Sequence, residues 1–207
     1  MTVRNLSRAA VMAAVLTLPY GLAAQETAPA AEDAPAVAGE PYVVSQHQDW
    51  EVVCSLLPPE GPELCEMYQL LLDPTQQPIA EISIVAFPQG NEVAGGVTIT
   101  TPLETFLPSG LAFRIGADGT TRLEPFRVCT LVGCIVRLGL SEDEINAMKR
   151  GANAFITILP FVAPDQPVEL PISLRGFTAA FDETRSRLPP PGTVMPDGMV
   201  IPEPAGQ

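Results

Sequence analysis

The sequence predicts an all-β sandwich with one or two short helices, and three observations carry that prediction. Eight or more short apolar runs recur at roughly ten-residue spacing, separated by turns built from Gly, Pro, Asn and Asp. No strand–helix–strand alternation is present to build a parallel sheet. Two cysteine pairs, Cys54 with Cys65 and Cys129 with Cys134, each flank a turn between two such runs.

Residues 1–24 read as a secretory leader. Arg4 and Arg8 make its positive start, Ala9 to Leu18 its apolar stretch, and Pro19 and Gly21 break the helix before the small pair Ala23-Ala24. That stretch is about half of the roughly 20 residues a membrane span needs, so no permanent span is expected after cleavage. No cysteine follows it for lipid attachment, and no adjacent arginine pair precedes it. Residues 25–41, rich in Ala, Pro and Glu, have nothing to bury and read as a disordered linker.

The sandwich is expected over residues 42–187. In Trp50-Glu51-Val52-Val53-Cys54 the alternation puts Trp50, Val52 and Cys54 on one face. A loop rich in Pro and Gly leads to a second strand, Cys65 to Leu72, which sets Cys65 opposite Cys54. Ile79–Phe87 and Val97–Thr100 follow as strands, and Leu107-Pro108-Ser109-Gly110 as a turn. Leu111, Phe113 and Ile115 line one face of the next strand while Arg114 points away. Asp118-Gly119 predicts a type I′ hairpin turn, because that turn needs positive φ at both central residues. Phe126–Arg137 reads as a hairpin closed by its own cysteines.

Ser141 to Gly151 predicts a short helix. Ser141 and Glu144 form a capping box, Lys149 and Arg150 complement the C-terminal end of the dipole, and Gly151 takes the C′ position. Phe155–Leu159 and Val168–Leu174 are strands, the second confined to an edge or an unpaired position by Pro171. Phe177, Ala180 and Phe181, spaced i, i+3, i+4, predict a second short helix packed on the sandwich. Pro189-Pro190-Pro191 opens a tail, residues 188–207, expected to be extended and disordered.

The net charge is −13, and removal of the leader leaves 9 basic against 24 acidic residues, or −15. So acidic a chain repels nucleic acid and anionic lipid and favours solubility or cationic partners. Four cysteines allow three pairings, and the local ones, Cys54–Cys65 and Cys129–Cys134, need no long-range assumption. Zinc is disfavoured, because the spacings C-x10-C and C-x4-C are not a pair of C-x2-C knuckles and an oxidising compartment favours disulfides.

No catalytic, cofactor-binding or metal-binding residue is expected. His47, the only histidine, lies in the polar stretch Ser45-Gln46-His47-Gln48-Asp49 and reads as a surface residue. No Gly-x-Ser-x-Gly elbow or phosphate-binding glycine loop exists. Glu142-Asp143-Glu144 is explained by helix capping, and Asp182-Glu183 lies in no calcium-loop pattern. Arg114, Arg122, Arg127 and Arg137 come from neighbouring strands and either share a face or simply balance nearby acids. No binding residue and no oligomeric state can be assigned from the sequence.

The chain resembles the invasion-associated locus B protein family of Gram-negative bacteria. The resemblance rests on Trp50-x-x-x-Cys54, Cys65-x-Met67-x-Gln69, Pro108-x-Gly110, Phe126-x-x-Cys129 followed by Gly133-Cys134, and Leu174-x-Gly176-Phe177. It implies an immunoglobulin-like β-sandwich in a periplasmic, secreted or outer-membrane-associated protein, without enzymatic activity or cofactor. The function expected is therefore a non-enzymatic envelope module that binds an envelope or host-surface protein. The rival readings are a periplasmic hydrolase using scattered carboxylates, and a structural or stress-related periplasmic factor.

Overall fold

A computed structural model describes residues 39–56, 61–194, 200, 201 and 203, all within the compact unit Pro35–Gln207. The expected leader and all but the end of the expected linker lie outside these residues. In chain order the strands are β1 (Tyr42–His47), β2 (Trp50–Leu56), β3 (Glu63–Leu72), β4 (Pro78–Ala86), β5 (Gly95–Thr101), β6 (Leu111–Ile115), β7 (Arg122–Glu124), β8 (Phe126–Thr130), β9 (Gly133–Leu140), β10 (Asn153–Ile158) and β11 (Val168–Ser173). The helices are α1 (Glu142–Arg150) and α2 (Phe177–Ser186). A seven-stranded sheet runs β1-β2-β3-β4-β5-β9-β8 and a four-stranded one β11-β10-β6-β7. Every pairing is antiparallel.

The alternation in the sequence sets which face is buried. Trp50, Val52 and Cys54 of β2, Met67 and Leu71 of β3, Ile82 and Ile84 of β4, and Val97 and Ile99 of β5 all enter one core. β6 and β10 supply Leu111, Phe113, Ala154 and Ile156 from the other sheet. Helix α2 packs on β2, β3 and β4, presenting the buried face Phe177, Ala180, Phe181 and Thr184 that the sequence spacing predicts. Phe177 and Phe181 stack at 5.7 Å, and Phe177 meets Trp50 edge-on at 5.6 Å. Burial of each such side chain contributes about 1.5–3 kcal/mol, and the aromatic geometry somewhat more.

Both local disulfides are present. Cys54 stands directly opposite Cys65, and Cys129 opposite Cys134, with Cα separations of 4.1 and 4.0 Å. These short distances are those of non-hydrogen-bonded antiparallel pairs. Pro171 lies on β11, an edge strand, where its missing N–H costs no ladder bond.

Three local expectations need correction. The Asp118-Gly119 turn is not type I′: positive φ falls at Gly116 instead, within an eight-residue loop between the pairs Phe113↔Arg122 of β6 and β7. Arg114 organises that loop, its Nη1 donating to the carbonyls of Gly116 (2.8 Å) and Ala117. Gly119 is needed for closeness rather than φ, since a Cβ there would lie 2.0 Å from the Ile115 carbonyl oxygen. The α1 capping box forms as expected, but Gly151 is extended (φ −83°) rather than left-handed. A Cβ at Gly151 would stand 2.9 Å from Leu174 Cδ1, so contact selects glycine there. Finally, the described part of the tail is not simply extended. Gly192 N–H donates to the Ile201 carbonyl and Ile201 N–H to that of Thr193, both at 2.9 Å, and Ile201 is buried.

Candidate functional site

His47 is not a free surface residue. Its Nε2 lies 2.6 Å from Glu183 Oε2, and Ser45 Oγ donates to the same oxygen at 2.7 Å. Arg187 donates from Nε to Glu183 Oε1 at 3.0 Å and reaches Glu63 at 3.5 Å. Glu63 in turn accepts from the Tyr42 hydroxyl. The His47 and Ser45 bonds, in that order, hold the Glu183 carboxyl below its ordinary pKa.

A Ser–His–acid grouping invites comparison with a catalytic relay, and the wiring rules that out. A relay needs the carboxylate on one ring nitrogen and the hydroxyl on the other. Here Ser45 Oγ, 3.3 Å from Nε2, and Glu183 crowd the same nitrogen, and the serine proton is already given to the acid. The cluster ties edge strand β1 to helix α2.

Asp182, Glu142 and Glu144 are likewise committed to structure. Asp182 pairs with Lys149 at 2.6 Å while Glu183 is held by His47, Ser45 and Arg187, so the two share no partner and form no dyad. Glu142 meets Arg185 at 2.8 Å and Glu144 meets Arg122 at 2.7 Å. Among the described residues, one set of three potential metal ligands converges, Cys54, Glu63 and Cys65, and its two sulfurs are bonded to each other.

Of the four arginines that share neighbouring strands, three come together. Arg122, Arg127 and Arg137 line a hollow of about 470 Å³ floored by Gly96, Thr98 and Gly139. Arg114 lies elsewhere, over the Phe155 ring at 4.6 Å and paired with Glu169 at 2.9 Å. Arg122 also meets Glu124 at 3.2 Å, so balancing of nearby acids accounts for its charge.

A concavity of about 590 Å³ is a groove where the two sheets meet. Gln46, Glu51, Tyr68, Leu70 and the turn Asp73-Pro74 line one wall, and Asn153, Pro171 and Ser173 the other. Its base is a clasp: Gln69, buried on β3, donates from Nε2 to the carbonyls of Asp49 (3.0 Å) and Ser173 (3.1 Å) and accepts from Ser173 N–H (2.9 Å). Trp50 Nε1 donates to the same Ser173 carbonyl at 2.8 Å.

The lining carries Asp49, Glu51 and Asp73 but no Lys, Arg or His. Asp73 closes its own turn, accepting from the backbone of Gln77 and from Thr75, and these bonds hold its carboxyl below the usual range. That is the reverse of what a proton donor needs. Burial, then a 3.0 Å hydrogen bond to Glu81, pushes the Tyr68 phenol up to about 12. Sequence reasoning missed this groove because its walls come from segments about a hundred residues apart. The buried Gln69 in the Cys65-x-Met67-x-Gln69 motif was the available signal.

Two antiparallel sheets around an aromatic helix anchor, the larger stapled by both disulfides, with an acidic groove and no relay geometry at the lone histidine, define a disulfide-clasped all-β module. A family model for the "Invasion associated locus B (IalB) protein" matches residues 50–185, and the chain belongs to that family. It is 28% identical over 141 residues to invasion protein B homologs of Brucella abortus strain 2308 and of biovar 1 strain 9-941. Each match covers 68% of this chain and 78% of the relative. The fold resembles the crystal structure of invasion associated protein b from Bartonella henselae, with TM-score 0.57 and 17% identity over 69% of this chain and 95% of that one. The motif Leu174-x-Gly176-Phe177 has a structural reason here. Gly176 is left-handed (φ +83°), and a Cβ on it would lie 1.8 Å from the His47 carbonyl oxygen.

Proposed function

We propose that the chain is an exported, non-enzymatic envelope module that binds a cationic or amide-rich segment of a partner protein in the groove between its sheets. The observation that carries this reading is the lining of the groove. Asp49 already accepts from Ser173 Oγ (2.6 Å) and lies 3.8 Å from Arg175 Nε, and Asp73 closes its own turn. Glu51, with the side-chain amides of Gln46, Gln48, Gln76 and Asn153 and the exposed Leu70, is therefore the carboxylate the groove lining offers a ligand. Such a surface offers acceptors for Lys or Arg and an apolar spot for one side chain. The clasp of Gln69 and Ser173 keeps the base rigid, which lowers the ordering cost of binding. Four cysteines paired as disulfides suit a chain that works in an oxidising compartment. Among the described residues no helix is long and apolar enough to cross a membrane.

Titration of isotope-labelled protein with Lys- and Arg-rich peptides tests the reading by NMR. Amide shifts are expected to map to Gln46, Glu51, Leu70 and Asn153, and to shrink in Glu51→Gln. Shifts scattered over the surface, or unchanged in that variant, would overturn it.

A further inference from the structure

One end of the sandwich carries apolar side chains that the described residues leave exposed. At the tip of the β8–β9 hairpin, Leu131 and Val132 are 99% and 79% exposed. In the loop after β10, Phe161 and Val162 are 65% and 85% exposed, and Leu103 after β5 is 57% exposed. Single exposed apolar residues are ordinary; several on adjoining loops are not.

These loops are held together as one rigid platform. The Cys129–Cys134 disulfide clamps the hairpin two residues from its tip. Thr101 Oγ1 donates to the Cys134 carbonyl at 3.3 Å, and Thr105 Oγ1 contacts Thr101 Oγ1 at 3.2 Å. Thr105 then bridges to Pro160, and Phe161 N–H donates to the Glu104 carbonyl at 2.7 Å. Both threonines are buried.

We infer that this end docks on a lipid bilayer of zwitterionic headgroups, with Leu131, Val132, Phe161 and Val162 entering the hydrocarbon boundary. Two features favour lipid over a groove on a partner protein. First, both members of each adjacent pair are exposed. A protein groove takes side chains from one direction, whereas hydrocarbon receives them from all sides. Second, part of the backbone at the tips is already hydrogen-bonded, which lowers the cost of immersion in hydrocarbon. Val132 N–H is met by Thr130 Oγ1 at 3.3 Å, Phe161 N–H by Glu104, and Ala163 N–H by the Pro160 carbonyl at 3.2 Å. Pro160 and Pro164 have no N–H to satisfy. Neither Thr130–Gly133 nor Pro160–Pro164 contains a charged residue. The net charge of −13 opposes approach to an anionic surface, which selects a zwitterionic one.

The test is flotation of the purified, disulfide-intact protein with protein-free vesicles of phosphatidylcholine and phosphatidylethanolamine. The protein is expected to float with them, and less so when phosphatidylglycerol is added at low salt. The double variant Leu131→Asp/Val162→Asp, at sites too exposed to disturb the core, is expected to lose binding by about tenfold or more. Val43→Asp, on the opposite edge strand β1, is expected to keep binding and serves as a control for an acidic charge added away from the tips. Failure to float, equal flotation of the double variant, or retention only on vesicles that carry envelope proteins would overturn the inference, the last in favour of a protein partner. None of these results depends on the groove.

Discussion

Gln69 and Ser173 exchange two hydrogen bonds across the junction of the sheets, Nε2–H to the Ser173 carbonyl at 3.1 Å and Ser173 N–H to Oε1 at 2.9 Å. The side-chain amide thus stands in for a β-ladder partner between strands that belong to different sheets. Replacing it by an isosteric apolar side chain, Gln69→Leu, removes the Ser173 N–H acceptor and one donor to the Ser173 carbonyl. A loss of about 2–4 kcal/mol is expected in urea denaturation. A loss below half of the lower figure would show that water takes over the contact.

Gly176→Ala is expected to destabilise by about 3 kcal/mol or more, because left-handed strain adds to a clash with the His47 carbonyl. Gly116→Ala separates the two causes. Gly116 also has positive φ (+75°) but nothing within 4 Å of its Cβ position, so only about 1 kcal/mol is expected. Equal costs at the two sites would remove the clash from the explanation.

The Glu183 tie predicts a pH dependence with a definite sign. The hydrogen bond from His47, then that from Ser45, lowers the native carboxyl pKa below its ordinary 4.5. A depressed carboxyl stabilises the fold fully above 4.5, and that contribution is lost as pH falls through the native value. Denaturation of wild type and Glu183→Gln at pH 7, 5, 4 and 3 measures it. The difference between the two proteins is expected to shrink as pH falls below about 4.5; a difference unchanged between pH 5 and 3 would refute the assignment.

What the sequence made legible was local. The alternation of Trp50, Val52 and Cys54, the capping box of Ser141 and Glu144, and the i, i+3, i+4 spacing of Phe177, Ala180 and Phe181 each depend on residues a few positions apart. Cys129 and Cys134 are similarly close, so their turn exposed their pairing. The contacts that build the candidate sites span the chain. Gln69 finds Ser173, 104 positions on, and His47 finds Glu183, 136 positions on. Periodicity carries no information on such pairings, nor on the insertion of β9 between β5 and β8. Asp118-Gly119 misled because Arg114, folding back on the loop, outweighed the local turn preference.

The two disulfides are expected to differ in lability. Cys54 and Cys65 are both buried, whereas Cys129 is exposed beside the buried Cys134. Thiolate attack needs access to a sulfur, so graded dithiothreitol followed by alkylation and mass mapping should open Cys129–Cys134 first. Simultaneous opening would mean that the core unfolds before either bond is reached. From loop length, Cys129–Cys134 contributes about 2 kcal/mol and Cys54–Cys65 about 3.

Non-reducing peptide mapping of the protein, isolated without reductant, tests the covalent frame on which the sandwich, the rigid hairpin tip and the proposed compartment all rest. Linked peptides joining Cys54 to Cys65 and Cys129 to Cys134, with no titratable thiol, are the expected result. Free sulfhydryls, or a link between the two pairs, would contradict it.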